Sequence, residues 1–251
     1  MAVDRDATPQ YVLRNICRVV AMPNLVASVD VATKLTGVEK VPPLVEATIS
    51  AEAYSRTNFD LWKNVVHVVI SDEAVKKAAH DILNVNIADA AKELARMENS
   101  QIKTVAEGAT AVAGSDWGGD VNPFDDIGGV MDAIEGNGFP VDFIAADPLV
   151  WMDFFSNSRV RGLYGVQLPS GKSFTIPGLP GVTGISDTTL TSTVAIVGSL
   201  AAPAIILGEG PTEAARYRNE PMGYTAFLIR QWLQPILVQT GALRKLTGVH
   251  A

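Results

Sequence analysis

The longest regular pattern in the chain is a stripe of apolar residues at spacings of three and four over residues 70–108, which predicts one long amphipathic helix. At a rise of about 1.5 Å per residue, this helix would be roughly 50 Å long. Most of its charged residues, Glu98 among them, are expected on the opposite face. A helix of this length with a single apolar stripe cannot bury that stripe within itself, so we expect separate pieces of sheet to pack along it.

The start of this helix carries clear capping signals, whereas residues 84–86 are a weak point within it. Ser71 is suited to the N-cap position, and Asp72 and Glu73 place carboxylates in the first turn, where the positive end of the helix dipole favours them. Residues 84–86 are Asn-Val-Asn, which are poor helix formers. A bend is therefore compatible with the sequence at that point.

Two stretches before the helix alternate apolar and polar residues, which predicts a β-hairpin. Its strands are expected at residues 46–54 and 59–70, with the turn at residues 55–58. An isolated two-stranded hairpin is only marginally stable in water. Because the chain continues from it into a helix, we expect the hairpin to project and to find its partner on another chain.

The remaining pattern predicts a small helix, an α/β lobe and a series of strands. Helices are expected at residues 9–22, 123–135 and 148–155, the second opened by an Asn-Pro pair and the third by an Asp-Pro pair. A Gly-rich loop at residues 109–122 marks a domain boundary before the lobe. Strands are expected at residues 139–145, 174–176, 182–185, 194–197, 204–207, 224–234 and 236–239, with a polar turn region at residues 208–222.

Composition describes an ordinary folded protein and argues against two classes of partner. The chain has 251 residues, of which 47% are hydrophobic and 19% charged, so it can bury a sizeable core in one domain or two. The net charge of -7, without a cluster of Lys and Arg, argues against nonspecific attraction to nucleic acid. The opening MAVDRDATPQYV lacks a basic segment followed by an apolar core, so no signal peptide is expected. The apolar run near residues 194–207 is broken by Gly198 and Pro203, so no membrane span is expected.

The lone cysteine predicts neither a disulfide nor a nucleophile. Cys17 has no second cysteine to pair with, which favours a reducing compartment. A catalytic cysteine needs a histidine and an orienting group, and His67, His80 and His250 lie at no recognisable spacing from it. We expect Cys17 to be a buried small hydrophobic residue.

The segment Gly171-Lys172-Ser173 matches the end of a phosphate-binding loop. That motif needs a glycine five positions earlier, where this chain has Val166, and it must lead into a helix, whereas here a short strand is expected. A turn is the favoured interpretation.

An acidic patch surrounds the Gly-rich loop, formed by Asp116, Asp120, Asp125 and Asp126. Such oxygens suit a hard cation, but their spacing does not match the calcium-binding loop of twelve residues. The preference of carboxylates for helix N-termini already accounts for Asp125 and Asp126. We therefore predict no metal, no cofactor and no catalytic residue.

Six short motifs follow one another in a fixed order. They are VISDE at residues 69–73, PFDDI at 123–127, FIAADP at 143–148, IPGLPGVTGI at 176–185, GEGPT at 208–212 and GYTAFLIRQW at 223–232. This order resembles that of the major capsid proteins of tailed phages and their archaeal relatives, which have the Hong Kong 97-type fold. The resemblance covers nearly the whole chain from Val38 onward.

The resemblance implies an α+β capsid fold in four parts. They are an N-terminal arm at residues 1–37, an extended hairpin called the E-loop at 38–70, a peripheral domain at 71–121 and 219–251 that includes the long helix, and an axial domain at 122–218. The implied function is structural and not enzymatic. The protein would self-assemble as pentamers and hexamers into an icosahedral shell that encloses a double-stranded DNA genome, within a virion assembled in the host cytoplasm.

The partners implied are copies of the same chain, packaged DNA without sequence-specific contact, and separate scaffolding, portal and cementing proteins, with no membrane. Scaffolding is expected from a separate protein or from none, because only residues 1–37 precede the E-loop. Lys63 is the hairpin lysine, yet we predict no covalent cross-link between subunits. Contacts between subunits are predicted at Phe59, Leu61, Trp62, Lys63, Ser71, Asp72, Glu73, Glu209, Arg216 and Arg230.

Four alternatives remain open. Phe59, Leu61 and Trp62 are also compatible with covering the chain's own core. An encapsulin, which is a nanocompartment shell around a cargo enzyme, would share the fold. A nucleotide-using enzyme built on residues 171–173, or an α/β module that binds a cation at residues 116–126, would not.

Overall fold

The computed structural model describes residues 11–32, 54–77, 82–164 and 171–251. A 3₁₀ turn at Leu13–Ile16 precedes the first strand. The helices are α1 (Asp72–Lys77), α2 (Ile82–Glu107), α3 (Pro123–Glu135), α4 (Pro148–Ser156) and α5 (Ser158–Tyr164). The strands are β1 (Cys17–Ala21), β2 (Val26–Ala32), β3 (Tyr54–Asp60), β4 (Trp62–Ser71), β5 (Ala111–Ala113), β6 (Phe143–Ala146), β7 (Ser173–Thr175), β8 (Thr183–Ser186), β9 (Val194–Gly198), β10 (Ile205–Glu209), β11 (Glu213–Asn219), β12 (Tyr224–Leu237) and β13 (Leu243–Thr247).

Two sheets and a ribbon contain these strands. In the five-stranded sheet, β12 pairs with β10 along its second half and with both β4 and β11 along its first half, so β4 and β11 lie on opposite sides of it. Strand β1 adds to β10 in parallel. The six-stranded sheet has the order β5-β13-β9-β6-β8-β7, and β2 with β3 forms a two-stranded ribbon.

Helix α2 connects the two sheets. Near its start, Ala90 and Leu94 pack against Ile229 of the five-stranded sheet. Further along, Ile102 and Ala106 enter a core to which both sheets contribute. This packing is the one expected for a long helix with a single apolar stripe. The helix passes through residues 84–86 without interruption, and residues 78–81, which the sequence predicts to be helical, lie outside the described residues.

The lobe helices confirm their capping signals. The Asn122 side chain accepts a hydrogen bond from the Phe124 amide at 3.3 Å, and Asp147 accepts one from the Leu149 amide at 2.8 Å. In both helices a proline occupies the first turn, where its missing N–H costs nothing. Between these helices, all four residues of β6 are buried, as expected for a strand covered on both faces.

The predicted hairpin is wrong in its pairing. Residues 55–58 form part of β3 instead of a turn, and β3 pairs antiparallel with β2. Strand β4 pairs with β12 in the large sheet. Alternation of apolar and polar residues identifies a strand but does not identify its partner, which is why the sequence led to the wrong pair. Residues 46–53 of the predicted first strand lie outside the described residues.

The helix predicted at residues 9–22 is also wrong, because Cys17–Ala21 is strand β1. Parallel pairing with β10 prevails over the helical spacing, helped by Val19 and Val20, which favour extended backbone. The polar turn region contains β11, which the sequence did not indicate. Strand β12 continues through Pro235, because the pairing with β4 ends at Leu233 and leaves one side without a ladder bond to make.

Sheet membership departs from the predicted domain boundaries at residues 121/122 and 218/219. Strands β10 and β11, predicted as axial, lie in the sheet of β4 and β12. Strands β5 and β13, predicted as peripheral, lie in the six-stranded sheet. The chain therefore crosses between the sheets more often than the order of motifs indicates. No helix among the described residues combines the length and apolar character needed to cross a bilayer.

Candidate interaction surface

The base of the β2–β3 ribbon exposes a patch of large apolar side chains. Leu25 is 51% exposed, Val26 67% and Trp62 70%. The Leu61 amide donates a hydrogen bond to the Leu25 carbonyl at 2.8 Å, so the two chain segments that carry the patch are adjacent. Tryptophan is a frequent anchor of protein interfaces, and neighbouring exposed apolar residues mark interaction sites. Of the three predicted apolar contact residues, Phe59, Leu61 and Trp62, Trp62 is the one that is exposed.

Phe59 has a different environment from Trp62. Its side chain is fully buried in a cluster with Met22 and Ile206. It presses on Gly208, where an added Cβ would lie 2.8 Å from the phenyl ring. The prediction that Phe59 contacts another subunit is therefore corrected, since this side chain belongs to the chain's own core. Leu61 is half-buried, with its Cδ1 atom 3.1 Å from the position of a Cβ on Gly210.

One face of the five-stranded sheet also remains exposed. Helix α2 covers the face that includes Val66 and Val68. On the other face Val69 is 51% exposed, and the Tyr217 hydroxyl is 2.8 Å from Nε2 of the exposed His67. Both parities of β4 are rich in valine, so the sequence could not show which face the helix would cover.

Residues at the start of the helical region act mainly within the chain. The Ser71 hydroxyl accepts a hydrogen bond from the Ala74 amide at 3.2 Å, as expected for an N-cap. Both Asp72 oxygens accept from the Arg218 guanidinium, at 3.0 and 2.8 Å, and these hydrogen bonds lower the pKa of the Asp72 carboxyl. Glu73 is exposed. The ion pair thus fixes the start of α1 to strand β11.

The other predicted polar contacts lie on the five-stranded sheet. The Arg216 guanidinium stacks 5.5 Å from the centre of the Phe227 ring. Arg230 lies 3.7 Å from a carboxylate oxygen of Glu213 on the neighbouring strand. Lys63 is exposed, opposite Trp232 in the β4–β12 ladder.

A buried polar network, which the sequence did not predict, connects the N-terminal segment to α2 and the large sheet. Glu98 is fully buried, although the sequence placed it on the polar face of the helix. Arg14 forms ion pairs with Glu98, at 3.3 Å, and with Glu209. Gln231 donates to Glu98 at 3.0 Å. Burial raises the pKa of the Glu98 carboxyl to about 7, despite the opposing effect of Arg14. When the Glu98 carboxyl is ionised, the pairing with Arg14 compensates a charge that would otherwise be costly to bury.

The residues considered for catalysis or nucleotide binding, Cys17 and residues 171–173, lie in surroundings that favour neither function. Burial raises the pKa of the Cys17 thiol to about 12, which disfavours the thiolate that a nucleophile requires. Gly171 has a positive φ of 112°, typical of a glycine turn, and Ser173 begins a strand. The amides of a helix N-terminus, on which a phosphate loop depends, are replaced here by strand β7.

The four carboxylates of the acidic patch lie in three different environments. Asp126 accepts hydrogen bonds from the Ser115 amide at 2.9 Å and the Trp117 indole at 3.1 Å. Asp125 accepts one from the Asn122 side chain at 3.0 Å. Asp120 is exposed. Within the described part of the chain, Asp116 is the one acid of the four that belongs to a group of three side chains able to ligate a metal, together with Asp153 and His250.

Comparisons with known proteins identify the fold. The chain is similar to the virus-like particle protein from Pyrococcus furiosus, with 13% identity and a TM-score of 0.69 over 98% of this chain and 96% of that one. It is similar to the capsid protein of the empty GTA particle, with 16% identity and a TM-score of 0.71 over 96% and 90% of the two chains. For a chain from Gordonia phage Cozz the identity is 16% and the TM-score 0.71, over 96% and 87%.

No protein-family model matches the chain, and no curated protein matches it in sequence. The structural matches nevertheless extend over nearly the full length of both partners. The expected α+β capsid fold is therefore confirmed.

Proposed function

We propose that the chain is a structural shell protein, not an enzyme, and that its copies assemble as pentamers and hexamers into an icosahedral particle around double-stranded DNA. The observation that carries this proposal is the match of the whole fold to capsid proteins over almost all of both chains. The exposed apolar patch at the ribbon base supports it independently, since a single chain leaves Trp62 mostly in water. The particle would be a virion assembled in the host cytoplasm, with separate scaffolding, portal and cementing proteins.

The four-part division is part of the same proposal. The arm would be residues 1–37, the E-loop 38–70, the peripheral domain 71–121 with 219–251, and the axial domain 122–218. The pairing of β2 with β3 supports a projecting loop, because these two antiparallel strands would lead into it and out of it. Strand β2, which lies within the arm, forms the other side of that ribbon.

The contact surface we propose is centred on Trp62 and includes the half-buried Leu61 and the exposed Lys63. The exposed Glu73 and the sheet residues Arg216 and Arg230 would add polar contacts at other places on the subunit boundary. Ser71, Asp72 and Glu209 would contribute indirectly, because each already has a partner that orders its own chain.

Electron microscopy of the purified full-length chain tests this function directly. Closed particles of uniform size, seen together with a fast-sedimenting species, are expected. A well-folded monomer at high protein concentration would contradict the proposal. The contents of particles isolated from their natural source separate a genome shell, which would hold DNA, from an encapsulin-type compartment, which would hold a protein cargo.

A further inference from the structure

Three side chains from distant parts of the chain converge at one end of the six-stranded sheet. Asp116 lies in the Gly-rich loop, Asp153 on α4, and His250 after β13. One donor atom from each lies within 4.8 Å of the other two, and all three residues are half-buried. Nδ1 of His250 is in direct hydrogen-bond contact with Oδ2 of Asp153.

The backbone around these residues is held in place by buried groups. The Trp117 amide donates to the Val249 carbonyl at 3.0 Å, and both side chains are fully buried. The buried Asn157 side chain donates to the carbonyls of Trp117, Gly119 and Val121 at 2.8, 3.1 and 2.9 Å. The three donors are thus positioned by the core of the lobe, as preorganised metal sites require.

Gly118 shows how closely the two carboxylates approach. An added Cβ at this position would lie 3.3 Å from Oδ1 of Asp116 and 3.3 Å from Cγ of Asp153. The Gly118 amide also donates to Oδ1 of Asp116 at 3.0 Å, which orients that carboxylate. The loop therefore has a glycine at the point on which both carboxylates converge, and a larger residue would come between them.

We propose that Asp116, Asp153 and His250 bind one zinc ion. Zinc accepts carboxylate oxygen and imidazole nitrogen at about 2.0–2.2 Å, so two ligands in a tetrahedral site lie roughly 3.4 Å apart. The observed donor separations are compatible with that value, since one pair is in hydrogen-bond contact and all three atoms are within 4.8 Å of one another. Calcium takes six to eight oxygens and magnesium six, which makes a set of two carboxylates and an imidazole a poorer fit to them.

Zinc replaces the hydrogen bond between Nδ1 of His250 and Oδ2 of Asp153 and bonds to both atoms and to Asp116, while the proton of that hydrogen bond passes to solvent. A water molecule completes the fourth position. The ion connects the Gly-rich loop, α4 and the segment after β13, so it stabilises the lobe and leaves the ribbon and the large sheet unaffected.

Calorimetric titration of the metal-free, untagged full-length protein with zinc chloride tests the site. One ion is expected per chain, together with a rise in the Tm of the protein. His250→Gln and Asp153→Asn should each weaken binding by about tenfold or more, because a three-ligand site cannot lose a ligand without loss of affinity. Gly118→Ala should weaken it as well, through the intrusion of its methyl group.

Two matched variants serve as controls. His67→Gln removes another histidine and Asp120→Asn another acid of the same loop, and neither should change zinc affinity. Circular dichroism verifies that every variant is folded. Absence of zinc binding by the folded chain, or equal affinity in the His250 and His67 variants, would overturn the proposal. Particle assembly is measured separately, so failure of this site and failure of the shell function are distinguishable.

Discussion

The lobe around the six-stranded sheet and the region around β12 differ in how completely they bury their apolar side chains. In the lobe, β6 and β9 are buried along their whole length, and aromatic residues of α4 fill the space between sheet and helix. Around β12, only one face of the sheet is covered by α2, and β11 is exposed along nearly its entire length. The lobe completes its core with its own residues, whereas the described residues of the β12 region leave apolar side chains such as Trp62 and Val69 exposed.

The largest effect that sharpens this comparison is expected from Phe154→Ala in the lobe. Phe154 is fully buried and makes edge-to-face contacts with Trp117, Trp151 and Phe155 at centroid distances of 5.7, 5.8 and 5.2 Å. Its removal should lower the free energy of unfolding by about 3–5 kcal/mol, measured by urea denaturation. Met152→Ala, on an exposed position of the same helix, should change it by less than about 0.5 kcal/mol. Similar losses of unfolding free energy in the two variants would show that the buried Phe154 stabilises the lobe no more than the exposed Met152 does.

The opposite pattern is expected from Trp62→Ala at the ribbon base. The subunit should keep its free energy of unfolding, because Trp62 is largely exposed in the single chain. Association at each interface that buries this side chain should weaken by about 2 kcal/mol, or roughly 30-fold in the association constant. Sedimentation over a concentration series measures this change. Met222→Ala removes another highly exposed apolar side chain outside the proposed patch and should leave assembly unchanged. If the Trp62 variant assembled as the unmodified chain does, the patch would not be part of the interface.

A smaller effect concerns Glu98, at the boundary between the two regions. Its carboxyl has a pKa of about 7 in the folded chain against an ordinary value of 4.5, so the folded state retains the proton over the pH range between them. Stability is then fully present below the lower value and is lost as pH rises through the upper one. Between about pH 5 and pH 7, the free energy of unfolding should fall by about 2 kcal/mol.

Denaturation of Glu98→Gln at the two pH values is the measurement, since this variant has no proton to exchange and should lose that pH dependence. Asp89→Asn, which removes an exposed carboxyl on the same helix, should retain it. A Glu98→Gln protein with the same pH dependence as the unmodified chain would place the titration elsewhere.

The same division explains which features could be predicted from the sequence. Helices α3 and α4 are predictable because Asn122 with Pro123 and Asp147 with Pro148 act locally on the chain that follows them. Strand partners are set by contacts between distant residues. The alternation around Phe59 indicates a strand but not that β2 would be beside it.

The positions of buried and half-buried titratable residues were the other feature that the sequence did not indicate. The burial of Glu98 depends on Arg14, which is far away in sequence and makes the burial tolerable. The convergence of Asp116 with Asp153 and His250 likewise depends on how the lobe closes. No spacing within the helix or the Gly-rich loop could have shown either arrangement, whereas the capsid resemblance, carried by the order of many short motifs, did not depend on them.

The parallel pairing of β1 with β10 has a consequence for how the chain is made. Cys17 lies opposite Ile205, so once β1 has left the ribosome it must wait for a partner that follows much later in the chain. Contacts between such distant segments form slowly, and an unpaired strand is exposed in the meantime. Until β10 has been synthesised, residues 17–21 of the nascent polypeptide are therefore exposed to chaperone binding or to aggregation.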